Sequence, residues 1–404
     1  MPGSSRIRVF RDTLAATKEE EYSIRKAGGL EENAFDAMLD FQNVYQAYRR
    51  AAAGKRSKQE VIDFDTDLSR NIWDIIKGMQ DKSYRVGGYH KFMIYDPKER
   101  MIQALSFRDR VVQHCLCDNI LKPYFEKRLI FDNCACREGK GTHFAMDRLS
   151  LFLREHYKEH GTKGYILKYD IRHYFDSVDH EVLKGMLKGI PDRNVLGLLY
   201  HIIRSYEGST DSETGDKKGL PMGNQTSQWF ALYYLDPLDR LIKEQLGIKH
   251  YVRYMDDGIL VHEDRGYLNE TLVRMRGKAA ELKLEFNEKT QIFPISEGVD
   301  FLGFRFYLTD TGKVVKRLRT TNKRKWKRRL KKFKEDYRSG DKSLEEIRRS
   351  IRSYSGHLSH GHTYKLRKKV MGSFVLTHAP KEIAGMIDQD NITETRDKEK
   401  ETTE

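Results

Sequence analysis

Two acidic sites in this sequence are suited to metal-ion chemistry, because each lies at the end of a β-prone run. Asp170 ends the run GYILKYD, and Asp256 and Asp257 lie between two further β-prone runs. A carboxylate at a strand end is readily solvated yet rigidly held, which suits a metal ligand. If a shared sheet brings Asp170 and Asp256 together, they can hold two Mg²⁺ about 3.5–4 Å apart, an arrangement that catalyses phosphoryl transfer. Taken alone, Asp256-Asp257-Gly258 is more often a simple hairpin turn.

The four cysteines form a second pattern with metal-binding character. They are arranged as two C-x-C pairs, Cys115 with Cys117 and Cys134 with Cys136. Structural zinc sites usually have C-x₂₋₄-C spacing, and residues i and i+2 of a helix face apart. The pattern therefore favours small buried cysteines, with a zinc site as the alternative. Four cysteines are also too few for a disulfide framework in a chain of 404 residues.

The charge of the chain indicates polyanionic partners. The formal net charge is +14, and residues 311–340 contain fourteen Lys or Arg against only Glu335 and Asp336. A basic surface attracts polyanions such as nucleic acids, although an ordinary solvated basic surface is the alternative. No run approaches the roughly 20 apolar residues of a membrane span, and residues 1–13 lack the apolar core of a secretory signal. We therefore expect a cytoplasmic protein with no membrane partner.

The elements that would position the acids are strands mixed with helices. Apolar periodicity and turn residues predict an α+β protein rather than a doubly wound sheet. Asp96-Pro97 is expected to separate the first two strands, and Pro123 to stop a helix. The predicted strands are 89–95, 101–105, 164–170, 249–254 and 259–262, with a strand turn at 301–304; the predicted helices are 61–80, 107–121, 179–189, 192–205, 227–245 and 268–283.

Residues 254–257 read Tyr-Met-Asp-Asp, which is the YxDD signature of reverse transcriptases. Further motifs that resemble this family follow in its order, from about residue 89 to residue 376. They include RDRVVQ at 108–113, CREGKGT at 136–142, DIRHYFDSVDH at 170–180, LPMGNQTSQ at 220–228, LEFNEKT at 284–290 and DFLGF at 300–304. The resemblance implies a right-hand polymerase fold of fingers, palm and thumb, with an antiparallel palm sheet.

The resemblance also assigns a metal site and a sugar gate. It implies that Asp170, Ile171, Asp256 and Asp257 line a site for two Mg²⁺, for which Mn²⁺ is a substitute. Five residues after Asp170, Phe175 would be the aromatic gate that excludes a ribose 2′-hydroxyl. Core packing would fit Tyr174 or Phe175 equally well, and only the resemblance favours Phe175. Gly258 stands where the family usually has an apolar residue, and we interpret it as easing the turn.

Several residues would bind the nucleotide if the resemblance holds. Arg137 and Lys140 would grip the triphosphate, since an Arg fork matches phosphate oxygens and neighbouring glycines allow close approach. Met222, Gly223 and Gln228 would lie beside the nascent base pair, although Met222 could equally well only pack. Most reverse transcriptases have Gln and Pro where this chain has Met222 and Gln228. That form is similar to the enzymes of diversity-generating retroelements and their bacterial relatives.

The remaining motifs imply contacts with the leaving group and the primer. Lys289 would protonate the departing pyrophosphate, although an exposed lysine is more often only solvated. Phe301, Leu302 and Gly303 would form the primer grip. Beyond them, Trp326 and Phe333 give a basic helix one apolar stripe. Its phosphate-facing side would include Lys323, Lys327, Arg328 and Lys331. A metal site of histidines around His360 and His362 is an alternative to plain packing.

The resemblance predicts four segments and an enzyme. They are a helical N-terminal extension (1–85), fingers and palm (86–310), a basic helical thumb (311–380) and a polar, disordered tail (381–404). The enzyme would be an RNA-directed DNA polymerase that uses an RNA template, a DNA or RNA primer, deoxynucleoside triphosphates and a small accessory protein. A diversity-generating retroelement is the leading role. A retron, an abortive-infection or other antiphage-defence enzyme, or an inactive nucleic-acid-binding scaffold are the alternatives.

Overall fold

The computed structural model describes residues 33–95, 99–210 and 215–376. Two compact units are present. The first comprises the chain up to Gly141, Tyr169–Ile259 and Gly266–Gln291, and the second comprises Thr142–Lys168, Leu260–Arg265 and the chain from Ile292. The first 32 residues of the predicted N-terminal extension, the Asp96-Pro97 turn and the predicted disordered tail lie outside the described residues. The four predicted segments stay a prediction.

Helices dominate the first part of the chain. The predicted helix over 61–80 is present as two helices, because Asp67 has φ −133° and ψ 57° and interrupts the helical backbone. Short polar side chains such as Asp favour helix ends over helix interiors. The apolar face of the second helix, with Ile72, Ile75 and Ile76, is buried. The helices are α1 (Ala34–Met38), α2 (Phe41–Ala52), α3 (Gln59–Thr66) and α4 (Leu68–Gln80).

A β-hairpin and a long bent helix follow. Strands β1 (His90–Ile94) and β2 (Arg100–Ala104) confirm the two predicted strands, and they pair antiparallel. Helix α5 (Phe107–Leu116) continues through a π-helical turn (Cys117–Leu121) into α6 (Lys122–Glu126). The prediction that Pro123 stops this helix is wrong. Pro123 lies at the start of α6, directly after the π-helical turn, and the helix continues through it with the bend placed at that turn.

The middle of the chain carries a sheet of four strands in the order β6-β7-β3-β8. Strands β6 and β7 are consecutive, and Met255 and Asp256 form the turn between them, so the predicted hairpin is confirmed. The elements are α7 (Thr142–His160), β3 (Tyr165–Tyr169), α8 (Tyr174–Ser177), α9 (His180–Leu187), α10 (Arg193–Ser205), β4 (Ser209–Thr210), β5 (Lys217–Lys218), α11 (Gln225–Tyr234), α12 (Asp236–Arg240), a π-helical turn (Leu241–Gln245), β6 (His250–Tyr254), β7 (Asp257–His262), α13 (Arg265–Glu281) and β8 (Gln291–Pro294).

The basic segment begins with a strand and not with a helix. Strands β9 (Val299–Phe301), β10 (Phe304–Leu308) and β11 (Val314–Leu318) form an antiparallel sheet in the order β11-β10-β9. Helices α14 (Thr320–Ser339), α15 (Leu344–Ser359) and α16 (Tyr364–Gly372) follow. The predicted apolar stripe is confirmed, since Trp326 and Phe333 lie in a buried cluster with Leu330, Ile347 and Leu358. The observed mixture of helices and antiparallel hairpins confirms the α+β class.

Within the described ranges, no helix is long and apolar enough to cross a membrane.

Candidate active site

The two predicted acidic sites are brought together in the first unit. Asp170 follows directly after β3, and Asp256 lies in the turn between β6 and β7. The backbone after β3 is fixed by residues 285–287. The Arg172 N–H donates to the Glu285 carbonyl at 2.9 Å, and the Asn287 N–H donates to the Asp170 carbonyl at 2.7 Å. The backbone at Asp170 is therefore held in place by this segment.

The raised pKa of Asp256 reflects its contact with Asp170. Burial, the charge of Asp170 and a hydrogen bond with the Asp170 carboxylate together raise the pKa of Asp256 to about 6. Two carboxylates share this hydrogen bond, so one favours the protonated form when no cation lies nearby. This is the environment in which a divalent cation binds well, because its charge relieves the repulsion.

Asp257 and Gly258 open strand β7 and differ from what the sequence predicted. Gly258 has no positive φ, and the positive φ of the turn, 55°, falls on Met255. The prediction that Gly258 eases the turn is therefore wrong. A Cβ at residue 258 would lie 2.3 Å from the ring of Tyr169, so glycine is required there for close strand packing. Asp257 is half-buried beside it.

The two aromatic residues after Asp170 have different surroundings. Tyr174 is fully buried, and its hydroxyl donates to the Ala231 carbonyl. Phe175 is only half-buried, and its carbonyl accepts a 2.7 Å hydrogen bond from the Leu220 N–H. The segment is a short helix and not an extended strand. Of the two rings, Phe175 is the one that is not committed to the core.

The Arg137 side chain makes its hydrogen bonds within the fold. Its Nε and Nη2 donate to the Glu126 carboxylate at 2.8 and 2.6 Å. Its Nη1 donates to the carbonyls of Ile130 and Asn133. The guanidinium is buried and its directions are occupied within the fold, so we correct the prediction to a structural role. Lys140 is half-buried and donates to the Phe131 carbonyl at 2.5 Å.

Residues 222–228 lie against the β1–β2 hairpin. The Met222 carbonyl accepts a 3.0 Å hydrogen bond from the Gln103 N–H, and Met222 itself is half-buried. Gly223 has φ 114°, and a Cβ there would lie 3.1 Å from Ile102 Cγ2. Gln228 is exposed on α11. The hairpin therefore fixes the backbone of this loop and leaves Gln228 accessible.

Lys289 and Ile171 complete the predicted residues of the first unit. Lys289 is exposed, and its backbone N–H donates to Asn287 Oδ1 at 3.1 Å. Ile171 is buried and forms an isolated antiparallel bridge with Phe286. The backbone of Ile171 is therefore fixed next to Asp170.

In the second unit, the turn between β9 and β10 contains the predicted primer-grip residues. Phe301 is buried, and Leu302 and Gly303 have φ values of 46° and 92°. The Gly303 carbonyl accepts hydrogen bonds from the Arg319 N–H at 3.2 Å and from Asn322 Nδ2 at 3.1 Å. The turn is thus tied to the start of α14. On α14 itself, the predicted phosphate-binding residues Lys323, Lys327, Arg328 and Lys331 are exposed, as are several other lysines and arginines.

Among residues 33–95, 99–210 and 215–376, no three or more His, Cys, Asp or Glu side chains form a group that could hold a metal ion. This applies to the cysteines and histidines, and it also means that Asp170, Asp256 and Asp257 do not form such a group of three. Cys115, Cys117 and Cys134 are buried, and burial raises the pKa of the Cys115 thiol to about 12. Such thiols stay protonated, which disfavours the zinc interpretation. His362 Nδ1 accepts from the Lys316 N–H at 3.0 Å, which is a packing role.

Sequence reasoning missed the buried polar groups behind the turn. Arg253 is completely buried, and its Nη1 donates to the Met255 carbonyl at 2.6 Å. An arginine inside the otherwise apolar and aromatic run HYVRY was the signal that could have found it, since buried arginines require partners.

The Gly258→Ala variant should lose about 1–3 kcal/mol of unfolding free energy, because the added methyl overlaps the Tyr169 ring. Gly277→Ala is the control. That glycine is exposed on α13, with nothing within 4 Å of an added Cβ. Alanine there should raise the free energy of unfolding of the protein by about 0.5–1 kcal/mol. Urea unfolding measures both, and wild-type stability in Gly258→Ala would contradict the close packing.

The Asp256→Asn variant should change the pH dependence of stability. Because its pKa is raised in the folded protein, Asp256 holds its proton more tightly when folded, and stability falls as pH rises from about 4 through about 6. An amide does not titrate. Without metal, the variant should match wild type near pH 4 and exceed it by on the order of 1–2 kcal/mol at pH 7. Asp74→Asn, on the exposed face of α4, should show no such difference. A pH-independent gap would argue against the Asp170–Asp256 repulsion.

Comparisons with known proteins give distant relatives. The chain is 22% identical over 264 residues to the group II intron-encoded protein LtrA of Lactococcus lactis subsp. cremoris, and to the same protein of strain MG1363. The match covers 62% of this chain and 42% of each relative, so the chain spans less than half the length of these curated relatives.

Solved structures with a partial likeness include telomerases. The Candida albicans telomerase in complex with a fragment of telomeric RNA has a TM-score of 0.43 at 13% identity, covering 65% of this chain and 52% of that one. The apo telomerase of Candida tropicalis has a TM-score of 0.43 at 13% identity, covering 57% and 49%.

The sequence profile of one family matches residues 91–306, which is more than half of the chain. The matched range contains Asp170, Asp256 and Asp257. This chain belongs to the reverse transcriptase (RNA-dependent DNA polymerase) family and has its right-hand polymerase fold.

Proposed function

We propose that this chain copies an RNA template into DNA by adding deoxynucleotides to a DNA or RNA primer. The contact between the Asp170 and Asp256 carboxylates is the observation that carries this proposal. Membership of the family supplies the reaction class. An inactive scaffold on the same fold would have no need for two repelling acids at the end of a sheet, and the sequence retains Asp170, Asp256 and Asp257.

The acidic site fits Mg²⁺, with Mn²⁺ as a substitute. Carboxylate and carbonyl oxygens are the ligands these ions prefer, and Asp170, the Ile171 carbonyl, Asp256 and Asp257 would supply them. Two such ions, when bound, activate the primer 3′-hydroxyl and stabilise the charge of the leaving pyrophosphate. The positions of Asp170 and Asp256 are fixed by different contacts. Residues 285–287 hold the backbone at Asp170, and Arg253 holds the turn that carries Asp256.

The surrounding residues would orient the substrates. Phe175 would lie against the incoming sugar, and Met222, Gly223 and Gln228 beside the new base pair. Lys140 would attract the triphosphate, and Lys289, exposed near the Asp170 backbone contact, would donate a proton to the pyrophosphate. In the second unit, Phe301, Leu302 and Gly303 would support the primer strand. Lys323, Lys327, Arg328 and Lys331 would bind duplex phosphates.

For the biological role, we infer a diversity-generating retroelement. The support is the loop at 220–228, where Met222 and Gln228 replace the residues of most reverse transcriptases. A retron, an abortive-infection or another antiphage-defence enzyme is the second candidate. A small accessory protein and a cytoplasmic location belong to the same proposal. Paired template and variable repeats in the neighbouring DNA would support the first role, and their absence would favour the second.

Primer extension on an RNA template tests the acidic site. Asp170→Asn and Asp256→Asn should each lower the extension rate with Mg²⁺ by about 10³-fold, since several kcal/mol of charge stabilisation are lost. The amide keeps the shape of the side chain, so folding should persist. Asp74→Asn should keep the wild-type rate. Near-normal extension by either active-site variant would overturn the assignment, and an inactive wild-type chain would overturn the proposed function.

Discrimination against ribonucleotides tests the sugar gate. Phe175→Val and Phe175→Ala should accept ribonucleotides far more readily, because a clash worth about 3–4 kcal/mol excludes them by a factor of several hundred. Tyr174→Phe is the matched control, since its buried ring stays in place. The measurement is the ratio of kcat/KM for a deoxynucleotide and its matching ribonucleotide. A ratio that stays high in the Phe175 variants but collapses in Tyr174→Ala would transfer the gate to Tyr174.

A further inference from the structure

We propose that Asp239 is a positioning residue that fixes the two active-site aspartates relative to each other. It does so through two hydrogen-bonded arms, and each arm ends on the residue that precedes one of the aspartates. The inference rests on the proposed polymerase function. It assigns to Asp239, Arg253, Tyr251 and Tyr169 a role that their burial alone does not require.

The first arm leads from Asp239 to the turn that carries Asp256. Arg253 Nε donates to Asp239 Oδ1 at 2.8 Å, and Arg253 Nη2 donates to Asp239 Oδ2 at 2.6 Å. The third nitrogen, Nη1, donates to the Met255 carbonyl at 2.6 Å. Met255 has φ 55°, a left-handed conformation that costs free energy in a residue other than glycine. The Arg253 hydrogen bond holds the turn in that conformation, with Asp256 next in the chain.

The second arm leads from Asp239 to the strand that ends at Asp170. The Tyr251 hydroxyl donates to Asp239 Oδ1 at 2.6 Å. The Tyr169 and Tyr251 hydroxyls are 2.6 Å apart and share a hydrogen bond. Because Tyr251 uses its proton on Asp239, Tyr169 is the donor of that bond. Tyr169 is the last residue of β3, directly before Asp170.

The arms are rigid because they are shielded from water. Arg253, Tyr251 and Tyr169 have no exposed surface, and neither does Asp239. Burial alone would lower the pKa of Arg253, but the Asp239 carboxylate raises it above its usual range, so the guanidinium stays charged. A buried, two-point Arg–carboxylate pair has a fixed geometry, and removing either partner would leave an uncompensated charge. The network therefore has one arrangement.

A fixed separation matters because catalysis by two carboxylates depends on distance. A misplacement of about 1 Å can cost about 10²-fold in rate. β3 and β7 are neighbours in one sheet, so loss of one hydroxyl from the second arm would not separate them. It would loosen the end of β3 at Tyr169, while the hydrophobic core around it stays filled. The expected result is a loss of turnover and not of substrate affinity.

The experiment removes single hydroxyls. Tyr251→Phe and Tyr169→Phe break the second arm, and Tyr234→Phe is the matched control. Tyr234 is also fully buried, and its hydroxyl donates to the Leu282 carbonyl at 2.7 Å without joining the network. Tyr251→Phe should lower kcat for primer extension about 10- to 100-fold and leave KM for the deoxynucleotide within about 2-fold. The Tyr169→Phe/Tyr251→Phe double variant should be no worse than Tyr251→Phe, because the two hydroxyls act in series.

A readout without activity separates this inference from the proposed function. In the metal-free protein, Tyr251→Phe should speed hydrogen exchange at the backbone amides of 170–172, where the broken second arm ends. Residues 255–258 should keep the wild-type rate because Arg253 still holds the Met255 carbonyl, and Tyr234→Phe should leave both segments at the wild-type rate. Equal kcat losses in Tyr251→Phe and Tyr234→Phe, or unchanged exchange in Tyr251→Phe, would overturn the positioning role. If the wild-type chain extends no primer, the proposed function fails, and hydrogen exchange at 170–172 still decides whether the second arm fixes the segment that carries Asp170.

Discussion

The repulsion between the Asp170 and Asp256 carboxylates is the constraint on which the active site depends. Each group is partly withdrawn from water, and each faces the like charge of the other. Without other contacts, this repulsion would move the two carboxylates apart. They stay together because contacts other than the carboxylates anchor the strand ahead of Asp170 and the turn that carries Asp256. The stability of the surrounding core therefore offsets the unfavourable free energy of the repulsion.

That anchoring uses close packing as well as hydrogen bonds. Strand β7 approaches the Tyr169 ring so closely that residue 258 has room for no side chain. The positive φ of Met255 allows a turn of only two residues, so Asp256 lies in the turn at the ends of β6 and β7. The positive φ of Met255 costs stability locally. Both features restrict where the carboxylate of Asp256 can lie, and a carboxylate that is held in place suits a metal ligand.

The second unit has a different physical design. Its basic helix α14 buries Trp326, Leu330 and Phe333 on one side and exposes lysines and arginines on the other. The packed face and the basic face are therefore on different sides of the same helix, so the proposed phosphate contacts would not disturb the packing. The β9–β10 turn is tied to the beginning of that helix through the Gly303 carbonyl. A nucleic acid bound along α14 would thus be coupled to this turn.

The sequence by itself determined the local features. Acids at strand ends, the hairpin around Met255 and the buried stripe of Trp326 and Phe333 could all be predicted, because turn residues and apolar periodicity act over a few positions. The motif order also identified the family, which the match over 91–306 confirms.

Only the tertiary structure decided which partners the long polar side chains take. Arg137 lies in a motif that implies phosphate binding, but Glu126 and two carbonyls occupy its guanidinium. Gly258 follows an Asp pair that predicts a turn, but glycine is required there because the Tyr169 ring leaves no room for a Cβ. Asp239 carries no motif at all. Each outcome depends on groups that folding brings together from different parts of the chain, and local periodicity contains no information about such contacts.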